Sequence, residues 1–208
     1  MQTLELFAGT QSFSKVARAM GHATHTVELD PALDPDEVAD ITAWDATAWE
    51  GKVEMLWASP PCQGFSVAVI GRNWNHDRTP KTDSARLAMA LALRTIEAIE
   101  QVKPRYWFIE NPRGMLRKMP FMESFLAATG GVRHTVTYCQ YGDTRQKPTD
   151  IWTNCLRWRP KPCCCRGAGC HEAAPRGSRT GTQGIVGAKD RGRIPAALFE
   201  EIFSQLKQ

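Results

Sequence analysis

Short runs of apolar residues, each long enough for one buried strand, recur along the first three-quarters of the chain and alternate with stretches of helical periodicity. Strands are predicted at 3–7, 24–29, 54–58, 106–110, 135–139 and 151–154. Strands that alternate with helices are typical of an α/β fold built on a parallel sheet. The pattern therefore predicts an α/β domain with a parallel central sheet.

The intervening stretches predict helices at 12–20, 84–101 and 121–129. The second is the most regular, and Pro104 ends it because proline cannot continue a helix. Six mostly apolar residues recur in it at helical spacing: Leu87, Leu91, Ala92, Thr95, Ile96 and Ile99. A last helix is predicted from Pro195, since proline suits the first helical position. Its apolar face comprises Ala197, Leu198, Ile202, Phe203 and Leu206.

The texture of the sequence changes after residue 154. Residues 155–193 are rich in Gly, Arg, Pro and Cys and have almost no apolar periodicity, which is typical of loops around a small module. The chain therefore divides into 1–154, 155–193 and a C-terminal helix at 194–208. The middle part holds nine Lys and Arg residues against two acids, a net charge of +7, so the rest carries −3 of the total of +4. Such a segment suits contact with phosphates, although a solvated flexible loop would have the same charge.

The composition is that of an ordinary soluble globular chain, with 42% hydrophobic and 23% charged residues. A length of 208 residues allows one domain with an appendage. No run approaches the ~20 apolar residues of a membrane span, and no signal-peptide pattern precedes the first strand. Seven cysteines, four of them within 163–170, do not resemble a secreted disulfide framework. We therefore expect a monomeric cytoplasmic protein without membrane contact.

The ends of the first two strands carry candidate ligand-binding residues. The first strand leaves through Phe7, Ala8 and Gly9, a small-residue turn that lets a cofactor approach the backbone closely. The second ends at Glu28, where an acid is suited to accept hydrogen bonds from ribose hydroxyls. Each signal is weak alone, because many parallel-sheet proteins have such turns and solvated strand-end acids.

A proline-rich corner follows the third predicted strand. The stretch reads SPPCQGFS over 59–66, so Cys62 is expected at the carboxyl edge of the sheet, where open α/β folds bind ligands. Prolines stiffen the backbone before the thiol, and Gly64 frees it afterwards. The alternative is a buried structural cysteine, the commoner role of a free thiol. That role predicts packing inside a strand rather than a corner of this composition.

The fourth predicted strand ends at Glu110, which would face the same crevice as Cys62. Burial there would raise the pKa of the Glu110 carboxyl and let it donate or share a proton. A nucleophilic thiol beside a proton-bearing carboxyl is a pair suited to attack on an aromatic ring.

Three motifs in this order, LFAG at 6–9, PPCQGFS at 60–66 and ENP at 110–112, resemble the cytosine-5 DNA methyltransferase family. The resemblance covers about residues 1–154. It implies a Rossmann-like class I S-adenosylmethionine-dependent methyltransferase sheet, with 155–193 as a small basic, loop-rich recognition segment. RNA-only cytosine-5 enzymes differ, since they take their nucleophile from another motif.

The resemblance also implies a covalent mechanism on double-stranded DNA in a bacterial or phage-infected cell, as in restriction-modification. A cytosine is flipped out of the duplex, the Cys62 thiolate adds to ring carbon 6, Glu110 holds ring nitrogen 3, and carbon 5 takes the methyl group. Asn111 is expected to brace the Pro-Cys turn.

The residues expected from the resemblance to bind the cofactor are Phe7, Ala8, Gly9, Glu28, Asp40, Ile41 and Pro60. Residues 63–80 resemble a mobile loop that closes over DNA. Its expected DNA contacts are Gln63, Ser66 and Arg72.

The chain departs from the family pattern in its last third. Where the family has Gln-x-Arg-x-Arg after Tyr-Gly, this chain has Arg145, Lys147 and Thr149. Lys147 is expected near the base oxygen, and Arg145 at a phosphate. The family's final motif normally starts with Asn and a small residue before its Val-Pro. This chain has Arg193-Ile194-Pro195 at that place and lacks the Asn. With only about 40 residues for recognition, including the expected DNA contacts Arg176 and Arg179, a short or degenerate target sequence is predicted.

The cysteine-rich loop has two interpretations, a structural zinc site or a set of free thiols, because its spacing is not that of a standard finger. Zinc ligands would come from Cys155, Cys163, Cys164, Cys165, Cys170 and His171.

The function has rivals as well: a tRNA methyltransferase with the same catalytic set, a non-catalytic DNA-binding accessory protein, or transfer of a group larger than methyl. The presence of both Cys62 and Glu110 argues against the non-catalytic protein, whereas no sequence feature excludes RNA.

Overall fold

The computed structural model describes residues 1–164, 169–172 and 187–206. Its strands are β1 (Gln2–Leu6), β2 (Ala23–Glu28), β3 (Glu37–Val38), β4 (Met55–Ala58), β5 (Tyr106–Pro112), β6 (Val132–Thr137) and β7 (Pro148–Thr153). Its helices are α1 (Ser12–Ala19), α2 (Ile70–Asn73), α3 (Asp83–Val102), α4 (Pro120–Thr129), α5 (Ala188–Gly192) and α6 (Ala196–Leu206). Within the described ranges, no helix combines the length and the apolar character needed to span a lipid bilayer.

The strands form one sheet in the order β3-β2-β1-β4-β5-β7-β6. Strands β1 to β5 pair with one another in parallel, and β7 runs antiparallel to both β5 and β6. This confirms the predicted Rossmann-like α/β class. It also corrects the expectation of a wholly parallel sheet, and it adds β3, whose two residues are too few to show a strand pattern.

Most predicted elements begin and end within two residues of the observed ones, but the last two strands are displaced. The strand predicted at 135–139 is Val132–Thr137, because the chain turns at Tyr138 into a 3-10 helix, Tyr138–Tyr141. The strand predicted at 151–154 begins at Pro148. An apolar run marks burial rather than strand conformation, so the buried turn after β6 was included in the predicted strand.

The central strands are buried on both faces, as a parallel sheet between two helical layers requires. Alternate residues of β4 therefore pack in different layers: Leu56 and Ala58 with α3, Met55 and Trp57 with α1 and α6. The Trp57 ring lies 4.8 Å from that of Phe199 in α6 and 5.9 Å from that of Phe13 in α1. Helix α6 is thus held beside the beginning of the chain.

Helix α3 is capped by Thr82, whose Oγ1 accepts a hydrogen bond from the Ala85 amide (3.2 Å). Its buried face differs in part from the predicted one, since Leu87 is 59% exposed. In the first half of the helix the buried residues are small: Ala85, Ala88 and Ala92. A face lined with alanine lets a neighbouring backbone approach closely, and the Cys62 turn makes this approach.

Candidate active site

The register of the parallel strands places four strand ends in one row. Leu6 of β1 pairs with Val27 of β2 and with Ala58 of β4, and Ala58 pairs with Ile109 of β5. The residues one position further along therefore lie side by side at the carboxyl edge of the sheet, where open α/β folds bind ligands. They are Phe7, Glu28, Ser59 and Glu110.

The Cys62 turn is fixed from two directions. The amides of Phe65 and Ser66 both donate to the Cys62 carbonyl oxygen (3.0 Å each), which closes a tight turn after the thiol. From the neighbouring strand, Asn111 Nδ2 donates to the Pro60 carbonyl oxygen (2.9 Å), as the sequence predicts. The half-buried Cys62 thiol is therefore presented at the end of β4, not packed inside a strand.

Gly64 allows the turn to lie against α3. A Cβ atom at this position would lie 2.3 Å from the Ala88 Cβ and 2.9 Å from the Ser84 carbonyl oxygen, closer than atoms can approach. No residue other than glycine fits without moving the backbone that carries Cys62.

Residues 63–80, which resemble a mobile loop, include short helical turns that are anchored to the core. Phe65 is fully buried and stacks on Trp74 at 5.4 Å, and the Trp74 indole donates to the Gly64 carbonyl oxygen (2.8 Å). Gln63 and Arg72 are exposed to solvent. Closure of this loop over DNA stays a prediction.

Glu110 is buried on β5 at the level of the Cys62 turn. Its Oε1 accepts a hydrogen bond from the Tyr138 hydroxyl at 3.0 Å. Burial raises the pKa of Glu110, against the positive charge of Lys147 and the hydrogen bonds of Tyr138 and Ser59, which lower it. A raised pKa favours a carboxyl that keeps its proton and can donate it.

Tyr138 is a functional candidate that the sequence analysis missed. It is fully buried, it contacts the Glu110 carboxyl, and the Lys147 Nζ lies 4.8 Å from its ring centroid. Nothing in the local pattern distinguishes this tyrosine from a core aromatic residue, because its partner is 28 positions away in sequence.

The charges around Cys62 oppose one another. Burial raises the pKa of the Cys62 thiol and the Glu110 carboxylate raises it further, while Lys147 and Arg191 lower it. The structure thus brings the predicted set of Cys62, Glu110 and Lys147 close enough to interact. It adds Arg191, whose carbonyl oxygen also accepts a hydrogen bond from the Lys147 Nζ (3.0 Å).

The opposite end of the row has the features of a cofactor cradle. Phe7 and Gly9 have positive φ angles (55° and 50°), so the backbone turns sharply as β1 ends. The Glu28 carboxylate accepts hydrogen bonds from the amides of Gly9 (2.9 Å) and Leu29 (2.8 Å), which ties the ends of β1 and β2 together. Ala8 and Pro60 are buried beside this turn and the Cys62 turn, respectively.

The residues after β3 complete this side of the edge. Asp40 is exposed, and its Oδ1 accepts hydrogen bonds from the Thr42 amide (2.9 Å) and hydroxyl (2.8 Å), which hold its pKa below the usual range. Ile41 is 5% exposed and belongs to the core. An acid next to an apolar side chain is a pair suited to an adenine amino group and ring face.

A family model described as C-5 cytosine-specific DNA methylase matches residues 1–125, a range that includes both Cys62 and Glu110. The chain belongs to this family. Its membership confirms the resemblance carried by the three motifs, and S-adenosylmethionine is the methyl donor of such methylases.

Two viral relatives show how far the similarity extends. A probable DNA (cytosine-5)-methyltransferase of Frog virus 3 (isolate Goorha) is 32% identical over 171 residues, which cover 78% of this chain and 75% of the relative. The type II methyltransferase M.CviJI of Paramecium bursaria Chlorella virus IL3A is 25% identical over 119 residues, 53% of this chain but only 30% of the relative.

Solved structures agree in fold and differ in length. A methyltransferase of Entamoeba histolytica matches with a TM-score of 0.58 at 9% identity, over 77% of this chain and 55% of its own. A putative DNA modification methyltransferase encoded within an Escherichia coli prophage matches with a TM-score of 0.52 at 16% identity, over 74% and 46%. This chain thus spans about half the length of these proteins.

Arg145 does not occupy the place expected of a phosphate contact. It is 3% exposed and forms an ion pair with Asp143, and its guanidinium donates to the carbonyl oxygens of Asp190 (3.2 Å), Arg191 (3.2 Å) and Arg193 (3.0 Å). These bonds use the donors that a phosphate would need. The side chain instead fastens α5 to the turn before β7.

The cysteines separate into those that converge and those that do not. Cys155 is buried in the core and Cys163 is exposed, so neither joins the predicted metal set. Cys164, Cys170 and His171 do converge, and their fourth neighbour is Cys139, which the sequence does not connect with them. Cys165, Arg176 and Arg179 lie outside the described residues.

Proposed function

We propose that this protein transfers a methyl group from S-adenosylmethionine to carbon 5 of cytosine in double-stranded DNA. One observation carries the proposal: Cys62 and Glu110 are held on adjacent strand ends, with the Asn111–Pro60 hydrogen bond tying the two strands at that level. In a member of the C-5 cytosine-specific DNA methylase family, this pair has the composition that attack on a pyrimidine ring requires.

The residues at the β1–β3 edge fit the cofactor. The sharp turn with positive φ at Phe7 and Gly9 exposes backbone rather than side chain, and a carboxylate (Glu28) stands one strand away. We assign cofactor binding to Phe7, Ala8, Gly9, Glu28, Asp40, Ile41 and Pro60. When bound, S-adenosylmethionine supplies an electrophilic methyl group on its sulfonium.

The reaction then depends on the residues of the chain. Cys62, as the thiolate, forms a bond to carbon 6 of the flipped cytosine, while Glu110 holds the proton at ring nitrogen 3. Carbon 5 becomes nucleophilic and takes the methyl group. Loss of the carbon 5 proton and cleavage of the bond between sulfur and carbon 6 return the thiolate. The charge of Lys147 lowers the pKa of both Cys62 and Glu110, and in the proposed reaction it stabilises negative charge on the base oxygen and on the sulfur.

DNA would approach the face that carries the exposed part of the Cys62 loop. Gln63, Ser66 and Arg72 contact the duplex there, and the basic segment 155–193 with Arg176 and Arg179 reads the flanking sequence. Because a segment of this size can touch few base edges, we expect a short or degenerate recognition site. Mapping methylated positions in a randomised DNA library tests this; a strict site of about six base pairs would contradict it.

The decisive experiment uses DNA that contains 5-fluorocytosine, incubated with the protein and S-adenosylmethionine. Because fluorine cannot leave as a proton does, the adduct on Cys62 should persist as a covalent complex. Cys62→Ala should form none. A parallel arm offers tRNA with a labelled methyl donor: transfer to tRNA without transfer to any DNA would overturn the proposal in favour of an RNA enzyme. We expect the protein to act in the cytoplasm and as a monomer. Sedimentation of the enzyme alone and with DNA will test the monomer.

A further inference from the structure

Four soft ligand atoms converge beside the β6 end of the sheet. They belong to Cys139, Cys164, Cys170 and His171, and all lie within 4.8 Å of one another. Cys139 lies in the 3-10 turn that follows β6, whereas the other three come from the cysteine-rich part of the basic segment. Cys139 therefore meets three residues that lie at least 25 positions further along the chain.

Four of the six distances between ligand atoms in this cluster lie within about 0.5 Å of those around tetrahedral zinc. With Zn–S bonds of about 2.3 Å and Zn–N bonds of about 2.0–2.1 Å, tetrahedral angles separate two sulfurs by about 3.8 Å and a sulfur from a nitrogen by about 3.6 Å. The Sγ of Cys139 lies 3.3 Å from that of Cys164 and 3.6 Å from that of Cys170. The His171 Nδ1 lies 3.8 Å and 3.5 Å from the sulfurs of Cys164 and Cys170.

The surroundings of the cluster suit thiolates. The Gln146 Nε2 donates to the Cys164 sulfur (3.2 Å), and the Gln140 Nε2 donates to the Cys170 sulfur (3.5 Å). Amide donors of this kind orient metal-bound sulfurs and stabilise their negative charge. The Cys164 amide donates to the Thr137 hydroxyl (3.0 Å), which fixes the ligand loop against the end of β6.

We propose that Cys139, Cys164, Cys170 and the His171 Nδ1 bind one structural zinc ion. Three thiolates and an imidazole form a closed tetrahedral set of the kind that structural zinc uses, with no position left for substrate. The ion joins the basic segment to the turn whose first residue, Tyr138, contacts Glu110. It therefore sets the position of the segment relative to the active site.

A disulfide between Cys139 and Cys164 is the competing chemistry. Their sulfurs are 3.3 Å apart, well beyond the ~2.05 Å of a disulfide bond. Such a bond would also leave Cys170 and His171 facing it without a role. Zinc accounts for all four groups together.

Metal analysis of the full-length protein, purified without added chelator, tests the proposal. Wild type should contain about one zinc ion per chain, and Cys170→Ser should contain much less than half of that. Cys163→Ser is the matched control, since this exposed thiol in the same loop lies outside the cluster; it should keep the full metal content. Metal-free wild type from zinc-supplemented medium, or loss of zinc in Cys163→Ser alone, would overturn the proposal.

A second measurement does not depend on variants that fold. Cobalt(II) added to chelator-treated wild type should give the strong absorption of tetrahedral thiolate coordination, with one equivalent at saturation, and zinc should abolish it. Intact mass after thiol alkylation without reductant should show no disulfide. A disulfide would instead leave two cysteines without an alkyl group and lower the mass by two further hydrogens. That result, together with no cobalt spectrum, would establish the disulfide. Neither readout involves methyl transfer, so failure of the catalytic proposal would leave this one standing.

Discussion

The two halves of the active-site edge are held together by different forces. On the thiol side, residues 59–66 and 110–112, the contacts are close packing and hydrogen bonds from neutral groups, such as Gly64 against Ala88 and Asn111 to Pro60. On the cation side, residues 138–147 and 187–193, they are charges, exemplified by Arg145 with Asp143. Packing fails when an atom is added, whereas a charge network fails when a partner is removed. Each side should therefore be sensitive to a different kind of substitution.

The largest effect is expected at the nucleophile. Cys62→Ala should lower kcat for methyl transfer by at least about a thousandfold, because no other group can form the covalent bond to carbon 6. Binding of S-adenosylmethionine and of DNA should persist, which titration of each ligand will show. A variant that retained a tenth of the wild-type rate would remove Cys62 from the mechanism.

The cation side should respond to the loss of a partner. Arg145→Ala removes the charge that pairs with the partly buried Asp143 carboxylate and one donor from each of three carbonyl oxygens, so we expect the free energy of unfolding in urea to fall by about 3–5 kcal/mol. Arg18→Ala is the control: its ion pair with Asp36 is about 40% exposed on both partners and should contribute about 0–1 kcal/mol. Weaker DNA binding with unchanged stability would instead restore Arg145 as a phosphate contact.

The thiol side should respond to one added methyl group. Gly64→Ala places a Cβ against α3 and displaces the Cys62 backbone, and a misplacement of about 1 Å is expected to lower kcat about a hundredfold. Gly71→Ala provides the control, since nothing lies within 4 Å of its added Cβ. Adding Ala88→Gly to Gly64→Ala removes the closer clash and should restore part of kcat; no recovery would mean that the clash with Ser84 or the loop itself dominates.

The smallest effect is expected where the two sides meet. The Tyr138 hydroxyl lowers the pKa of Glu110, so Tyr138→Phe should raise that pKa further. The limb of the pH profile of kcat/KM that reports Glu110 should therefore move to higher pH, with a rate change of about tenfold or less. Tyr141→Phe loses a hydroxyl bonded to Glu201 instead and should leave the limb in place. A Tyr138→Phe profile identical to wild type would show that the bond does not control Glu110.

The sequence predicted the thiol side well because its information is local. A motif of eight residues specifies the Cys62 turn, and a strand end specifies Glu110. The cation side depends on long-range contacts: whether Arg145 meets a phosphate or the carbonyl oxygens of α5 is decided by residues 45 positions away. Cys139 and Tyr138 were missed for the same reason. Leu87 illustrates a third case, since helical spacing identifies an apolar stripe without fixing which part of it faces the sheet.

The reversed direction of β7 determines how the chain can vary. Its first residue, Pro148, pairs with the last of β6, so the connection 138–147 crosses the ligand edge and carries Tyr138 and Lys147 within a single loop. The chain then leaves at the far edge, where the Asn154 side chain bonds to the Trp107 amide and the Arg105 carbonyl oxygen, and must return along β6 to bring Cys164 beside Thr137. Residues 155–163 therefore form a strap whose length is fixed, because it must run from Asn154 at one edge of the sheet to Cys164 at the other. An insertion after that strap would lengthen the proposed recognition segment and leave Tyr138 and Lys147 in place, because their loop is already closed between β6 and β7.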